Sequence, residues 1–272
     1  MKQETLPRIS VIMGVYHTAD DTVALSCSVR SILNQTDPDF EFLICDDGSG
    51  EATVRLLEKL AGEDPRIRLV RNGTAFSLPQ KLNLCLTQAR GEYIARQDDD
   101  DRSVENRFEK QVGYLDRQPE IAFVGCNAIE FRNGETGGER CFPQYPAKED
   151  FLFKMPFLHP TLIFRKAALE AVGGYDESKY TVLCEDYDLL LKLYENGYTG
   201  SNLQETLFYY QITDRDYKKR RYRHRVNEAV TRYRHFRRLG MLPKAWPFVI
   251  KPLAVGLIPH QVLKRLKNSK KK

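Results

Sequence analysis

The sequence predicts an α/β fold in which a mostly parallel, twisted sheet is flanked by helices, followed by a basic helical C-terminal tail. Short apolar runs rich in β-branched residues alternate with stretches whose apolar residues recur at helical spacing, which is typical of repeated βαβ units. Beyond Arg215 the pattern changes to a basic, aromatic stretch and then to a proline-punctuated amphipathic end. These two observations together predict one α/β domain with an appended tail.

The first half of the chain gives the clearest elements. The run ISVIMGV suits a strand buried on both faces of a parallel sheet, and a helical pattern and a second apolar run follow it. The alternation of strand and helix patterns then continues as far as the four aspartates 98–101. We predict strands over residues 9–15, 41–45, 67–70 and 93–96, and helices over residues 22–33, 51–60 and 78–89.

The second half is less regular. A helix over residues 104–115 and a strand over 121–126 precede a Gly- and Pro-rich region that we predict to be irregular. A strand over 161–164 and a helix over 186–195 complete the domain. We place its boundary near Asp214, with residues 1–214 as the catalytic domain and 215–272 as the tail.

Composition indicates an ordinary globular protein of 272 residues with a net charge of +5, and its positive charge is concentrated in the tail. Its six cysteines form no CxxC pair, which favours reduced thiols in a cytosolic protein. No apolar segment reaches the length of about 20 residues that a spanning helix needs.

Polar residues follow three of the predicted strands, where an open parallel sheet binds its ligands. Tyr16 and His17 follow the first strand, Asp46 follows the second, and the four aspartates 98–101 follow the strand at residue 93. Adjacent carboxylates repel each other, and Mg²⁺ or Mn²⁺ would neutralise them. The alternatives are a solvated acidic turn and, at Asp46, a helix-capping turn. Neither the dinucleotide fingerprint nor the Walker phosphate loop is present.

Seven segments occur in the order and separation of family 2 glycosyltransferases with the GT-A fold, and the resemblance spans residues 8–212. They are ISVIMGVYH, EFLICDDGS, GEYIARQDDDD, RFEKQVGYL, HPTLIFRKAAL, VGGYDE and EDYDLLLKLYENGY. The chain resembles the members that build bacterial surface and capsular polysaccharides. The resemblance implies that the protein transfers a sugar from a nucleotide donor to an acceptor hydroxyl. We expect this donor to be a UDP-sugar.

The resemblance also implies roles for individual residues. Val15, Tyr16 and Asp46 are similar to the family's nucleoside-binding positions. Lys81 lies where members place a basic residue near the donor phosphates.

The aspartates and the later segments receive roles in the same way. Asp98 and Asp100 resemble the acidic pair of the family's metal motif, with Asp100 the preferred ligand of Mn²⁺ or Mg²⁺. Asp99 stands where many members have a small residue, and we assign it to substrate binding. His159 matches a position on the acceptor side; a structural role is its alternative.

Asp186 corresponds to the family's catalytic base, beside Glu185 in the substrate site. A carboxylate there can take the proton of the attacking hydroxyl, and one direct displacement inverts the anomeric centre. The alternative is acidity that favours a helix N-terminus. Many members place a metal-binding histidine after the last strand of the domain, where this chain has Thr213.

The tail combines lysine and arginine with aromatic and apolar residues. Trp246, Phe248, Val249, Ile250, Leu253, Val255, Leu257 and Ile258 precede a lysine-rich end, which suits an anchor on an anionic membrane better than a nucleic-acid site. We expect a lipid-linked glycan acceptor and an enzyme at the inner face of the cell membrane. A basic helix that packs on the domain is the alternative.

Two other functions remain at this stage. A metal-dependent nucleotidyltransferase would release pyrophosphate instead of a nucleoside diphosphate. The other alternative is a catalytically inactive protein that binds a sugar nucleotide or a nucleic acid. Such a protein has no turnover, so substitution of Asp186 would not change it.

Overall fold

The computed structural model describes residues 6–71, 73, 77–132, 135–212 and 221–258. The strands are β1 Ile9–Val15, β2 Phe40–Asp46, β3 Ile67–Val70, β4 Tyr93–Arg96, β5 Arg102–Ser103, β6 Ile121–Arg132, β7 Glu135–Arg140, β8 Ile163–Arg165 and β9 Thr199–Gln211. The helices are α1 Val23–Leu33, α2 Glu51–Glu63, α3 Leu78–Gln88, α4 Arg107–Arg117, α5 Lys166–Ala171, α6 Glu185–Glu195, α7 Tyr222–Arg238 and α8 Trp246–Gly256.

The sheet confirms the predicted α/β class. Its strand order is β3-β2-β1-β4-β8-β6-β9-β5, and β7 pairs with β6. Strands β1 to β4 pair in parallel, as do β6 and β9, while β8 runs antiparallel to both of its neighbours. Most strands therefore share one direction, and the carboxyl ends of β1, β2 and β4 lie along one edge.

Local sequence accounts for the early elements. Strand β2 is buried throughout, because both faces of the sheet are covered, and its continuous apolar run reflects this. Helix α3 begins at a capping box in which the Ser77 and Gln80 side chains each bond the other's backbone, and Pro79 lies in its first turn.

The structure differs from the prediction after β4. Val104 donates its backbone N–H to the Leu207 carbonyl over 3.0 Å, which extends the β5–β9 pairing, so α4 begins at Arg107. Strand β6 runs to Arg132, and β7 occupies part of the region that we expected to be irregular. The polar, glycine-rich β7 is exposed along its length, so it lacks the apolar alternation that would have predicted a strand.

The described part of the tail packs against the rest of the chain. Phe236, Met241, Ala245 and Val249 belong to the same buried cluster as Leu189 and the other leucines of α6. The six cysteines are free thiols, as predicted. Within the described ranges, none of the helices combines the length and apolar character needed to cross a bilayer. The domain boundary at Asp214 falls outside the described residues.

Candidate active site

The first part of the site lies where β1 and β2 end. These strands are in parallel register with Val15 beside Asp46, so the residues that follow each of them are neighbours. The His17 backbone N–H donates to Ser49 Oγ over 3.0 Å, and Gly50 N–H donates to the His17 carbonyl over 2.7 Å. The two loops are thereby joined into one crevice, as predicted.

Lys81 reaches this crevice from α3 and is 2% exposed. Its ammonium donates to the Val15 carbonyl and, over 3.1 Å, to the Asp47 carbonyl. The same nitrogen lies 5.4 Å from the ring centroid of Tyr16, a side chain that is 62% exposed. Lys81 therefore holds the two strand ends together from beneath the crevice, while Tyr16 stands open to it.

Asp46 is 3% exposed at the end of β2. Its Oδ2 lies 3.9 Å from Arg71 Nη2. Its Oδ1 is buried and has no hydrogen-bond partner within the described part of the chain. Because a buried carboxylate oxygen is costly to leave unpaired, this atom is suited to accept a hydrogen bond from a ligand.

The four aspartates after β4 have separate environments. Asp98 pairs with the buried Arg96, and Asp99 Oδ2 pairs with His17 Nε2 over 2.9 Å. Asp100 is half-buried. Asp101 is fully buried and accepts the Gln211 backbone N–H over 2.7 Å. Asp101 is thus a structural link from the acidic loop to the end of β9.

These environments alter the proton affinity of the groups involved. The hydrogen bond that His17 donates to Asp99 raises the pKa of His17 above its ordinary value, despite an opposing effect of burial. Burial, followed by the charges of Asp98 and Asp100, raises the pKa of Asp101 well above that of an ordinary carboxyl.

A buried polar network fixes the acidic loop from behind, and the sequence analysis did not identify it. Gln97 donates to the Asp101 carbonyl over 3.0 Å, and Ser28 donates to the Asp98 carbonyl over 2.7 Å. Arg107 donates to the Arg96 carbonyl over 2.9 Å, and burial lowers its pKa to about 10. Gln97 directly precedes the four aspartates, and this position is the feature of the sequence that could have identified the network.

A cleft of about 640 Å³ forms the second part of the site. Its walls include four predicted site residues, Asp98, His159, Glu185 and Asp186, together with Arg96. A second group comes from β7, β9 and the segment before His159, and it includes Arg140, Phe142, Lys154 and Tyr210.

Glu185 and Asp186 form the first turn of α6 at this cleft. Asp186 Oδ1 accepts the Tyr187 backbone N–H over 2.7 Å, as expected at a helix N-terminus. Burial, and then the Asp186 charge, raise the pKa of Glu185 to about 7. Glu185 Oε2 is buried without a hydrogen-bond partner among the residues that the structure describes.

His159 lies in the cleft wall and is 6% exposed. Its Nε2 is 2.9 Å from the Tyr175 hydroxyl, and the two rings pack edge to face at 5.6 Å. Burial, and then the nearby Arg96 charge, lower the pKa of His159 well below its ordinary value. The ring is therefore neutral at pH 7.

The predicted site residues thus fall into two groups. Val15, Tyr16, Asp46, Lys81, Asp99 and Asp100 belong to the crevice at the strand ends, and Asp98, His159, Glu185 and Asp186 line the cleft. Leu78 lines the cleft from the start of α3, the helix that also carries Lys81. The segment at Thr213 lies outside the described residues.

The acidic loop was tested for its fit to a divalent ion. Carboxylate oxygens are the ligands that Mg²⁺ and Mn²⁺ prefer, and Asp98 and Asp100 offer them on one short loop. The described residues contain no group of three or more His, Cys, Asp or Glu side chains arranged to hold a metal ion. Asp98 and Asp100 could therefore supply only part of the coordination of such an ion, and substrate and water would supply the rest.

The chain is similar to known proteins over most of its length. The sequence pattern of glycosyl transferase family 2 matches residues 10–173. The glycosyltransferase EpsE of Bacillus subtilis is 35% identical over 260 residues, covering 95% of this chain and 92% of that protein. The O-antigen biosynthesis glycosyltransferase WbnJ of Escherichia coli is 34% identical over 224 residues, covering 80% and 85% of the two chains.

Two solved structures have the same fold. The TarS 1–349 fragment of S. aureus, in complex with UDP-GlcNAc, has a TM-score of 0.68 at 19% identity, covering 90% of this chain and 73% of that one. The mannosyltransferase PcManGT of Pyrobaculum calidifontis, in complex with GDP-Man and Mn²⁺, has a TM-score of 0.62 at 19% identity, covering 98% and 81%. With a family match over more than half of its length and relatives among bacterial polysaccharide enzymes, the chain belongs to glycosyltransferase family 2 and has the GT-A fold.

Proposed function

We propose that this glycosyltransferase moves a sugar from a UDP-sugar to a hydroxyl of a lipid-linked glycan, by a metal-dependent displacement that inverts the anomeric centre. The observation that carries the proposal is the presence of Asp186 and Asp98 on the walls of one cleft. A base at one wall and an acidic, metal-compatible loop at another are what a direct displacement between acceptor and donor requires.

Asp186 is the proposed base. Its carboxylate takes the proton of the acceptor hydroxyl as that oxygen forms a bond to the anomeric carbon, and the bond from this carbon to the donor phosphate breaks. The Tyr187 N–H that bonds Asp186 Oδ1 orients the carboxylate. Glu185, the cleft residue whose pKa burial raises to about 7, is the proposed hydrogen-bonding partner of the sugar hydroxyls.

Asp98 and Asp100 would hold the divalent ion, which neutralises charge on the departing diphosphate. Arg96 keeps Asp98 in place through their ion pair, and Gln97 and Ser28 fix the loop backbone. Asp99 is proposed to act through His17, because their ion pair joins the acidic loop to the loop that follows β1.

The crevice at the strand ends is the proposed nucleoside site. Asp46 Oδ1 would accept a hydrogen bond from the base or ribose, and the exposed Tyr16 ring would contact the base. Lys81 is proposed to act near the phosphates while it holds the strand ends. The UDP and UDP-GlcNAc complexes of the TarS fragment support UDP as the donor nucleotide.

The lipid-linked acceptor is supported by the surface of the two tail helices. Half of the large exposed apolar side chains described for the chain lie on α7, on α8 or directly after α8, and we call these seven the outer face: Tyr222, Val226, Val230, Tyr233, Trp246, Ile250 and Leu257. The Tyr233 and Trp246 rings, 5.5 Å apart, join the two helices. Basic residues crowd the sequence around this face, and an anionic membrane would complement them.

The outer face differs from the surface that the sequence analysis expected. Val249 is buried and Phe248 packs on Phe153 with ring centroids 4.8 Å apart, whereas Val226 and Val230 of α7 are exposed. A relative from Escherichia coli, 27% identical, is named as a galactosyltransferase acting on a GlcNAc-diphosphoundecaprenol, which also supports a lipid-linked acceptor. We propose that the enzyme works at the inner face of the cell membrane.

The donor and the reaction class are tested together. Thermal stability is measured with UDP, GDP and CMP and their sugar conjugates, each with and without Mn²⁺, and the released product is identified. We expect a metal-dependent shift with UDP-sugars and release of UDP. Release of pyrophosphate from a nucleoside triphosphate would instead indicate a nucleotidyltransferase, and no shift with any nucleotide would indicate an inactive protein.

The membrane proposal has its own test. Val226→Asp with Val230→Asp places charge on the outer face, and binding to vesicles of anionic or neutral lipid is measured by flotation. We expect the natural chain to bind anionic vesicles and the variant to lose that binding. Glu58→Gln on the distant helix α2 is the control, and unchanged flotation of the Asp variant would contradict the proposal.

A further inference from the structure

The turn before α6 is held in a costly conformation. Leu183 has a φ of 63°, in the left-handed region that residues with a side chain rarely adopt. It lies two residues before Glu185 and three before Asp186. Such a conformation persists only where the surrounding structure holds it, and this one adjoins the proposed base.

Helix α7 supplies contacts to this turn. Asn227 Nδ2 donates to the Lys179 carbonyl over 3.0 Å, and Thr231 Oγ1 lies 3.6 Å from Cys184 Sγ. His235 follows at the same interval of four residues. The three side chains therefore form one stripe along α7, which faces the turn and α6.

His235 connects the stripe to α6 itself. It is 1% exposed, its Nε2 lies 2.8 Å from Asp188 Oδ1, and its Nδ1 lies 2.6 Å from Glu195 Oε1. One imidazole thus joins both ends of α6. Arg232, with its guanidinium 4.9 Å from the Tyr187 ring centroid, adds a contact beside the base.

We propose that α7 is a positioning element for catalysis, in which Asn227, Thr231 and His235 hold the strained turn and α6 so that Asp186 keeps its place in the cleft. The role of Asp186 rests on the proposed function, whereas the contacts do not. The stripe leaves the crevice at the strand ends untouched, so it should affect the rate of transfer and not the affinity for the donor.

The main test combines Asn227→Ala with Thr231→Val, which removes two contacts to the turn, and the Thr231→Val change also conserves side-chain volume. We expect kcat to fall about 10- to 100-fold, since small displacements of a reacting group have effects of this size. The dissociation constant of the UDP-sugar should change by less than about twofold. His235→Gln, which keeps a hydrogen-bond donor, should lose less activity than His235→Ala, and Arg237→Gln on the exposed side of α7 is the matched control.

Hydrogen exchange provides a readout that does not depend on activity. In the Asn227/Thr231 variant, amides of residues 179–188 should exchange faster, while those of residues 44–50 in the donor crevice should not change. Unchanged exchange and unchanged kcat would overturn the proposal, as would loss of donor affinity in parallel with kcat. Faster exchange in a protein that transfers no sugar would overturn the proposed function but leave the positioning contact intact.

Discussion

The two parts of the site hold their carboxylates differently. In the crevice at the strand ends, hereafter the donor side, Asp99 is paired with His17 and Asp46 lies near Arg71. In the first turn of α6, hereafter the base side, Glu185 is buried with an unpartnered oxygen among the described residues, and its pKa is raised to about 7. The donor-side carboxylates are thus held by specific side-chain partners, whereas burial has the largest effect on Glu185 of the base side.

This difference suits the two tasks. A site that receives a diphosphate and an ion benefits from carboxylates that are fixed before binding, because fewer groups need to be ordered afterwards. A base must instead accept a proton, and burial favours the protonated form of a carboxyl group, as the raised pKa of the neighbouring Glu185 illustrates. The predictions below separate the two sides by their effects on turnover and on donor binding.

The largest expected effect is on the base side. Asp186→Asn should lower kcat by roughly 10²- to 10⁴-fold, because an amide cannot take the hydroxyl proton. Donor affinity should remain within about threefold, since the residue lies outside the donor side. Release of nucleoside diphosphate measures kcat, calorimetry measures donor binding, and Glu63→Gln on α2 is the acid-to-amide control. Turnover retained by Asp186→Asn would remove this residue from the mechanism.

Two neighbouring aspartates of the acidic loop have different proposed roles on the donor side. Asp100 is the proposed metal ligand, and Asp101 is a structural residue. Asp100→Asn should abolish the metal-dependent stabilisation by UDP-sugar, which is about 2.7 kcal/mol at 100 times the dissociation constant. Asp101→Asn should keep it, because an amide oxygen can still accept the Gln211 N–H. Melting curves with and without Mn²⁺ measure both variants. If Asp101→Asn instead abolished the stabilisation and Asp100→Asn kept it, Asp101 would replace Asp100 as the proposed metal ligand.

Glu185 makes the base side sensitive to pH. Its folded pKa of about 7 lies above the ordinary glutamate value of 4.5, so the folded state binds this proton more tightly than the unfolded state does. The contribution of Glu185 to the free energy of unfolding is therefore fully present below a pH of about 4.5, and it is lost as the pH rises to about 7. The stability of Glu185→Gln relative to the natural chain should increase by about 1–3 kcal/mol from pH 5 to pH 8. Urea unfolding at both pH values measures this gain, and an equal difference at the two would contradict it.

The position of the crevice at the strand ends could be predicted from sequence because most of its residues directly follow strands. A buried strand is visible as an apolar run, and parallel pairing brings its end beside the next one, as with Val15 and Asp46. The order of the strands beyond β4 was not predictable in this way. Strand β8 inserts antiparallel between β4 and β6, and no local pattern specifies that pairing.

The base side needed the structure. Asp186 was identified by resemblance, but the raised pKa of Glu185 comes from burial among distant segments. His235 also had no readable signal, since a histidine in a basic helix is expected in solvent and here joins Asp188 to Glu195 in the interior. Non-local packing determines such contacts, and sequence periodicity does not report it.

The smallest predicted effect falls on Tyr16, at the exposed rim of the donor side. Tyr16→Ala should weaken UDP-sugar binding by about 0.5–1.5 kcal/mol, or roughly 2- to 10-fold, because a ring that contacts the base contributes about this much. Tyr16→Phe keeps the ring and should bind as the natural chain does, and kcat at saturating donor should be unchanged in both variants. Calorimetry and initial rates measure the two quantities. A fall in kcat without loss of affinity would show that the loop after β1 also orders the base side, and the separation of the two sides would then fail.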